Sequence, residues 1–151
     1  MRIRWGRWGV GAAALFVLLQ AFPYGRRHTN PPLGNEPAWD SPETRALAVR
    51  ACFDCHSNQT RWPWYSHVAP ASWLLQRDVE QARRHLNFSD WNPRQHGADA
   101  AGEVRAGEMP PWFYLPLHSS ARLTPAESET LVRGLVATFG DADDLTDAPL
   151  Q

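Results

Sequence analysis

Lysine is absent from this chain of 151 residues, cysteine occurs twice, and methionine occurs once beyond the initiator. All fifteen basic side chains are therefore arginines, a bias to which no function attaches. Sixteen carboxylates nearly balance them and leave a formal net charge of −1. No global field then favours nucleic acid or an acidic partner. Period-two alternation is missing too, which removes support for a sheet. Neither an internal repeat nor a low-complexity block is present. Against these absences stand thirteen prolines and eight tryptophans. Proline at that level implies short elements joined by stiff, irregular connections. So many indoles in one small chain point to an aromatic core, or to a pocket for something large and flat.

The first 28 residues read separately. Arg2, Arg4 and Arg7 precede the apolar run "WGVGAAALFVLLQAF", Trp8 to Phe22. Basic flank followed by apolar segment is the layout of an export signal. "LLQAFPYGRR" offers no good pair of small residues for cleavage, so an uncleaved signal-anchor is favoured over a cleaved signal peptide. The run is nonetheless shorter than the ~20 apolar residues of a full membrane span. Either way the domain is expected on the periplasmic side of the bacterial inner membrane, anchored or released. Residues 29–40 form a Pro-, Gly- and Asn-rich linker or strap. The domain proper covers 41–140, and 141–151 is an acidic tail.

Within the domain the pattern predicts an all-α fold with irregular aromatic loops. Ser41 as N-cap, Pro42 at N1 and Glu43 in the first turn open a helix running on through Cys55. Leu75, Val79, Ala82 and Leu86 make one stripe of a helix over roughly 71–86. A weaker helix lies within "QHGADAAGEVRAGE". The last begins at Thr124, with Pro125 at N1 and Glu127 completing a capping box, and turns Leu131, Leu135 and Phe139 inward.

Both cysteines fall in "ACFDCHSNQTRWPWYSHVAP". Cys52, Cys55 and His56 stand at i, i+3 and i+4, so on a helical turn they share a face. That spacing, C-x-x-C-H, is the attachment signature of a c-type haem: two thioethers and an axial imidazole. A thiol redox pair would be expected beside a βαβ unit, and none is visible. A structural zinc needs four ligands, and no H-x3–5-H pair supplements the two cysteines. A disulfide across so short a loop would stabilise little. One covalent haem c is the expected cofactor, with His56 on the iron.

A sixth ligand is sought next. Met109, in "GEMPPWFY", sits before two stiffening prolines and off any apolar helical stripe, and is the favoured thioether ligand. His118 is its rival. His67 is expected to pack or hydrogen-bond near His56, while His28, His85 and His96 read as solvated or hydrogen-bonding. Trp62, Trp64 and Tyr65 are expected to wall the haem, with Arg61 or an indole N–H near a propionate. Trp73 and Trp91 read as core.

The motifs C-x-x-C-H-S-N, W-P-W-Y-S, A-P-x-S-W, N-F-S-x-W and M-P-P occur in that order. With them the chain resembles the bacterial haem-binding domain family of small exported c-type cytochrome-like proteins, over roughly Asn30 to Phe139. The resemblance implies haem on Cys52 and Cys55 with His56 proximal. "MPP…LTPAE…L" is also similar to the end of monohaem class I cytochromes c, which supports Met109. One-electron transfer with redox partner proteins is the expected function. A haem peroxidase, a haem-based sensor and a thiol redox protein are the rivals.

Overall fold

A computed structural model describes the chain over residues 5–141, with side chains from Trp8 onward. Arg2, Arg4, the Arg7 side chain and the tail beyond Asp141 lie outside this description. Six helices follow one another: α1 (Trp5–Leu19), α2 (Pro42–Ala51), α3 (Phe53–His56), α4 (Ala71–His85), α5 (Asp99–Arg105) and α6 (Pro125–Phe139). Short 3-10 turns at Trp64–His67 and Ser119–Ala121 complete them, and no strand occurs among the described residues. The all-α expectation therefore holds.

Local signals set the helix starts. The Ser41 hydroxyl accepts the Thr44 N–H at 3.1 Å, with Pro42 at N1. Thr124 and Glu127 form the reciprocal capping box at the head of α6, satisfying donors that the helix cannot. One boundary differs from expectation. The helix expected to run through Cys55 breaks at Cys52, whose N–H still bonds Ala48 O at 2.8 Å. A separate turn, α3, then forms on the Cys52 carbonyl, which accepts from Cys55 N at 3.1 Å and His56 N at 2.9 Å. The turn drives Phe53 into the core and leaves both cysteines half-buried.

The core joins Leu47 and Ala48 of α2, Phe53, Leu86, Phe88, Val104 of α5, and Leu131 and Leu135 of α6. Phe88 is its centre: it stacks on Phe53 at 5.6 Å and meets Trp39 at 5.1 Å. Burying such a ring stabilises by about 1.5–3 kcal/mol. Helices α2 and α6 cross where Gly134 faces buried Thr44, and a Cβ at Gly134 would collide with the Thr44 side chain. Glycine is what lets the two backbones approach.

The segment before α2 lies along this body as an ordered strap. Gly34 N–H donates to Ser89 O at 2.7 Å, Trp91 N–H to Asn35 O at 2.8 Å, and Asn58 Nδ2 to Pro32 O at 2.7 Å. The Glu36 carboxylate receives Arg45 in a fork of 2.6 and 2.7 Å. These bonds give a proline-rich stretch with few N–H donors of its own a fixed path.

Helix α1 behaves differently. Its Trp8, Val10, Leu15, Val17 and Leu18 are all exposed. At fifteen residues it is about 22 Å long. No helix among the described residues is long and apolar enough to cross a membrane. The N-terminal signal-anchor helix expected from the sequence, whose apolar run already falls short of a full span, is therefore not shown as a spanning helix among the described residues. Gln20, just beyond α1, joins it to the body by exchanging bonds with Ala69: Nε2 to Ala69 O and Ala69 N–H to Oε1, both 3.0 Å.

Candidate functional site

Helical pitch places Cys52, Cys55 and His56 on one turn, and distant residues orient them. The Nδ1–H of His56 donates to Leu86 O at 3.0 Å, and the His56 carbonyl accepts Phe88 N–H at 2.8 Å. The stretch after α4 thus clamps His56 at both its ring and its backbone. Donation from Nδ1 fixes the tautomer and leaves the lone pair on Nε2, the arrangement a metal-binding imidazole needs. Burial lowers the imidazole pKa, which the Leu86 bond partly offsets. The neutral, ligating form is the one favoured.

The clamp is itself held by buried amides. Asn87 Nδ2 donates to Asn58 Oδ1 at 2.9 Å, Asn87 Oδ1 accepts Ser89 N–H at 3.0 Å, and the Ser57 hydroxyl donates to Phe53 O at 2.7 Å. Arg83 adds Nε to Ser57 O at 2.8 Å. Two stretches that look alike in the sequence, S-N after His56 and N-F-S after Leu86, turn out to be partners.

Both cysteines are free thiols. Burial pushes them up, Cys52 to about 12 and Cys55 to about 11, the latter aided by the Asp54 and Asp78 charges. Burial of this kind disfavours the thiolate form on which thiol redox chemistry depends. Cys52 packs against the core, and Met109 packs against the same core, half-buried. Met109 therefore does not stand clear of the core, as its polar sequence neighbours suggested.

A second network crosses the attachment turn. Asp54, between the two cysteines, takes Arg61 in a fork of 3.0 and 2.9 Å and accepts the Tyr114 hydroxyl at 2.8 Å. Burial would raise the Asp54 carboxyl, but the Arg61 guanidinium and backbone N–H hold it below its ordinary value. Burial and the Asp54 charge push the Tyr114 phenol strongly up. Tyr114 stacks on His118 at 3.8 Å, and Tyr65 lies 3.1 Å from His118 Nε2 through its hydroxyl. His118 Nδ1–H donates to Tyr114 O at 3.0 Å, so Nε2 accepts from Tyr65. Neither Asp54 nor Tyr114 was singled out from the sequence. They are 60 positions apart, and no local pattern links them.

The aromatic wall is brought together only in part. Tyr65 joins the His118 network, and Trp64 beside it is 78% exposed. Trp62 turns away, stacking on His28 at 4.7 Å and giving its indole N–H to Asn30 at 3.2 Å. His67 meets His28 at 4.4 Å, not His56. Arg61 spends its fork on Asp54, where a propionate partner was anticipated. Trp91 packs on the core as expected, against Phe139 at 4.8 Å. Trp73 lies outside that cluster, edge-on to Phe22 at 6.2 Å.

Two thiols and a tautomer-fixed imidazole on one turn are a donor set that fits a haem. A family model described as a haem-binding domain matches residues 14–137. The chain belongs to that haem-binding domain family. Neither a curated protein nor a solved structure matches it. The haem-binding match takes in the strap, all of α2 to α5, and α6 as far as residue 137, so every residue of the clamp lies inside it.

Proposed function

We propose that this haem-binding protein is an exported monohaem c-type cytochrome-like electron carrier, its haem held by thioethers from Cys52 and Cys55. The reading is carried by one observation: free thiols at 52 and 55 share a turn with a His56 ring held through Nδ1 by Leu86 O. Bound haem would supply reversible one-electron chemistry at iron. His56 would hold the iron through Nε2, and the Leu86 carbonyl keeps its ring from rotating. Phe88, tilted against that ring at 6.3 Å, helps exclude water from the proximal side.

Met109 is the proposed sixth ligand, in the manner of class I cytochromes c. Its support is that the rival His118 has both ring nitrogens engaged, Nδ1 with Tyr114 O and Nε2 with Tyr65. Trp64, Trp112 and Phe113 supply exposed aromatic surface for shielding a flat group or meeting a redox partner protein. The exposed apolar sides of α1, after a basic leader, support tethering at the periplasmic face of the inner membrane.

The test is a pyridine haemochrome spectrum of the full chain, exported from a host with c-haem maturation and then denatured and acid-extracted. Haem that stays with the chain, and is lost in Cys52→Ala/Cys55→Ala, is the expected result. Haem that extracts freely would overturn covalent attachment. A ferric thioether-to-iron band that survives Met109→Ala would remove Met109 as ligand.

A further inference from the structure

His85 and His96, read from the sequence as solvated or hydrogen-bonding, face one another in the fold. Their rings stack at 4.4 Å and 13°, and His96 Nδ1 lies 3.2 Å from Asp99 Oδ2. One donor atom from each of His85, His96 and Asp99 falls within 4.8 Å of the others. From these three residues we propose a second metal site, for a divalent first-row transition ion such as Zn2+, separate from the haem turn.

The donor chemistry selects the ion class. Two imidazoles and one carboxylate suit Zn2+, Ni2+ or Cu2+, whereas Mg2+ and Ca2+ take all-oxygen shells. Three protein ligands leave the remaining positions to water. Tetrahedral Zn2+ with bonds of about 2.0–2.1 Å sets its donors roughly 3.3 Å apart, so the two stacked rings must turn out of parallel to aim one nitrogen each at the ion. Those rotations are free, because the His96 and Asp99 side chains are 57% and 49% exposed.

The backbone beneath the cluster is braced. His96 N–H donates to His85 O at 3.2 Å, which sets the loop end directly over the end of α4. Inside the loop, Gln95 Oε1 accepts Asn87 N–H at 2.9 Å and Gln95 Nε2 donates to Asp90 O at 2.8 Å. A loop pinned in this way holds two histidines, eleven positions apart in sequence, in register before an ion arrives. A bound ion would fasten the end of α4 to the start of α5.

The experiment is a calorimetric titration of ZnCl2 into the tag-free full-length protein, with millimolar Mg2+ present throughout. One Zn2+ per chain is expected, with Kd on the order of 10 µM. His85→Ala and His96→Ala each weaken it more than about tenfold. A Zn2+-dependent rise in Tm of about 5 °C should disappear with them. His67→Ala, which removes the ring packed on His28, leaves binding unchanged. No saturable binding, or binding that survives the His85 and His96 variants, would overturn the site. The titration is repeated in Cys52→Ala/Cys55→Ala, so that ion taken up by the thiols and imidazole of the haem turn is not counted as binding at His85 and His96.

Discussion

The turn bearing Cys52, Cys55 and His56 is clamped to a distant segment largely through backbone groups, whereas the loop 109–118, beyond its own local backbone turns, is tied to distant parts of the chain by a few side chains. On the first side Leu86 O, Phe88 N–H and the Cys52 carbonyl do the holding, and the rings of Phe53 and Phe88 close beneath. On the second, Tyr114 to Asp54 and His118 to Tyr65 are the long-range ties, and Trp112, Phe113 and Leu117 are exposed. Backbone bonds persist through side-chain substitution. The proximal geometry is thus built into the fold, while the loop carrying Met109 can be retuned one side chain at a time.

The sharpest way to break this asymmetry is to empty the clamped side. Phe88→Ala removes a ring that is 1% exposed and should cost about 3–5 kcal/mol in denaturant unfolding. Trp112→Ala, at a position 81% exposed, should stay within about 0.5 kcal/mol. Equal losses at the two positions would erase the contrast. Next in size is Asn87→Ala. It strands the Asn58 amide oxygen and the Ser89 N–H, both in buried residues, for an expected loss of about 1–3 kcal/mol.

Tyr114→Phe deletes the hydroxyl donated to Asp54 and should cost about 0.5–1.5 kcal/mol. Hydrogen exchange sharpens it: amides in 109–118 should exchange faster while those of α2 and α3 keep their protection. Uniform acceleration would mean that the loop and the turn open together.

The smallest effect concerns a half-buried ion pair between α2 and α6. The Arg50 guanidinium, with Thr124, holds the Glu127 carboxyl at about 2, below its ordinary 4.5. A depressed carboxylate contributes stability above its unfolded value and loses it as pH falls through the folded one. In Glu127→Gln the decline in stability between about pH 4.5 and 2 should be shallower than in the parent. Parallel acid titrations would show the pair to be decorative.

The sequence could be read for structure wherever the cause was local. Ser41-Pro42-Glu43 and Thr124-Pro125-Glu127 announce helix starts because a cap satisfies donors within three residues. C-x-x-C-H announces a shared face because one turn of helix brings i, i+3 and i+4 together. The break at Cys52 escaped notice, since the same apolar letters serve one helix or two. So did the path of Trp62, which depends on His28 and Asn30 in the strap.

By itself, then, the sequence determined the all-α class, the principal caps and the grouping of two thiols with an imidazole. Only the tertiary structure decided what those groups face. Leu86 reaches His56 across 30 positions, Tyr114 reaches Asp54 across 60, and His96 comes to rest over His85. Each pairing depends on how helices cross and loops return, at Gly134 against Thr44 and at Gln95 across its own loop. Periodicity along a chain carries no record of such crossings, because a hydrogen bond between distant segments leaves no spacing to read.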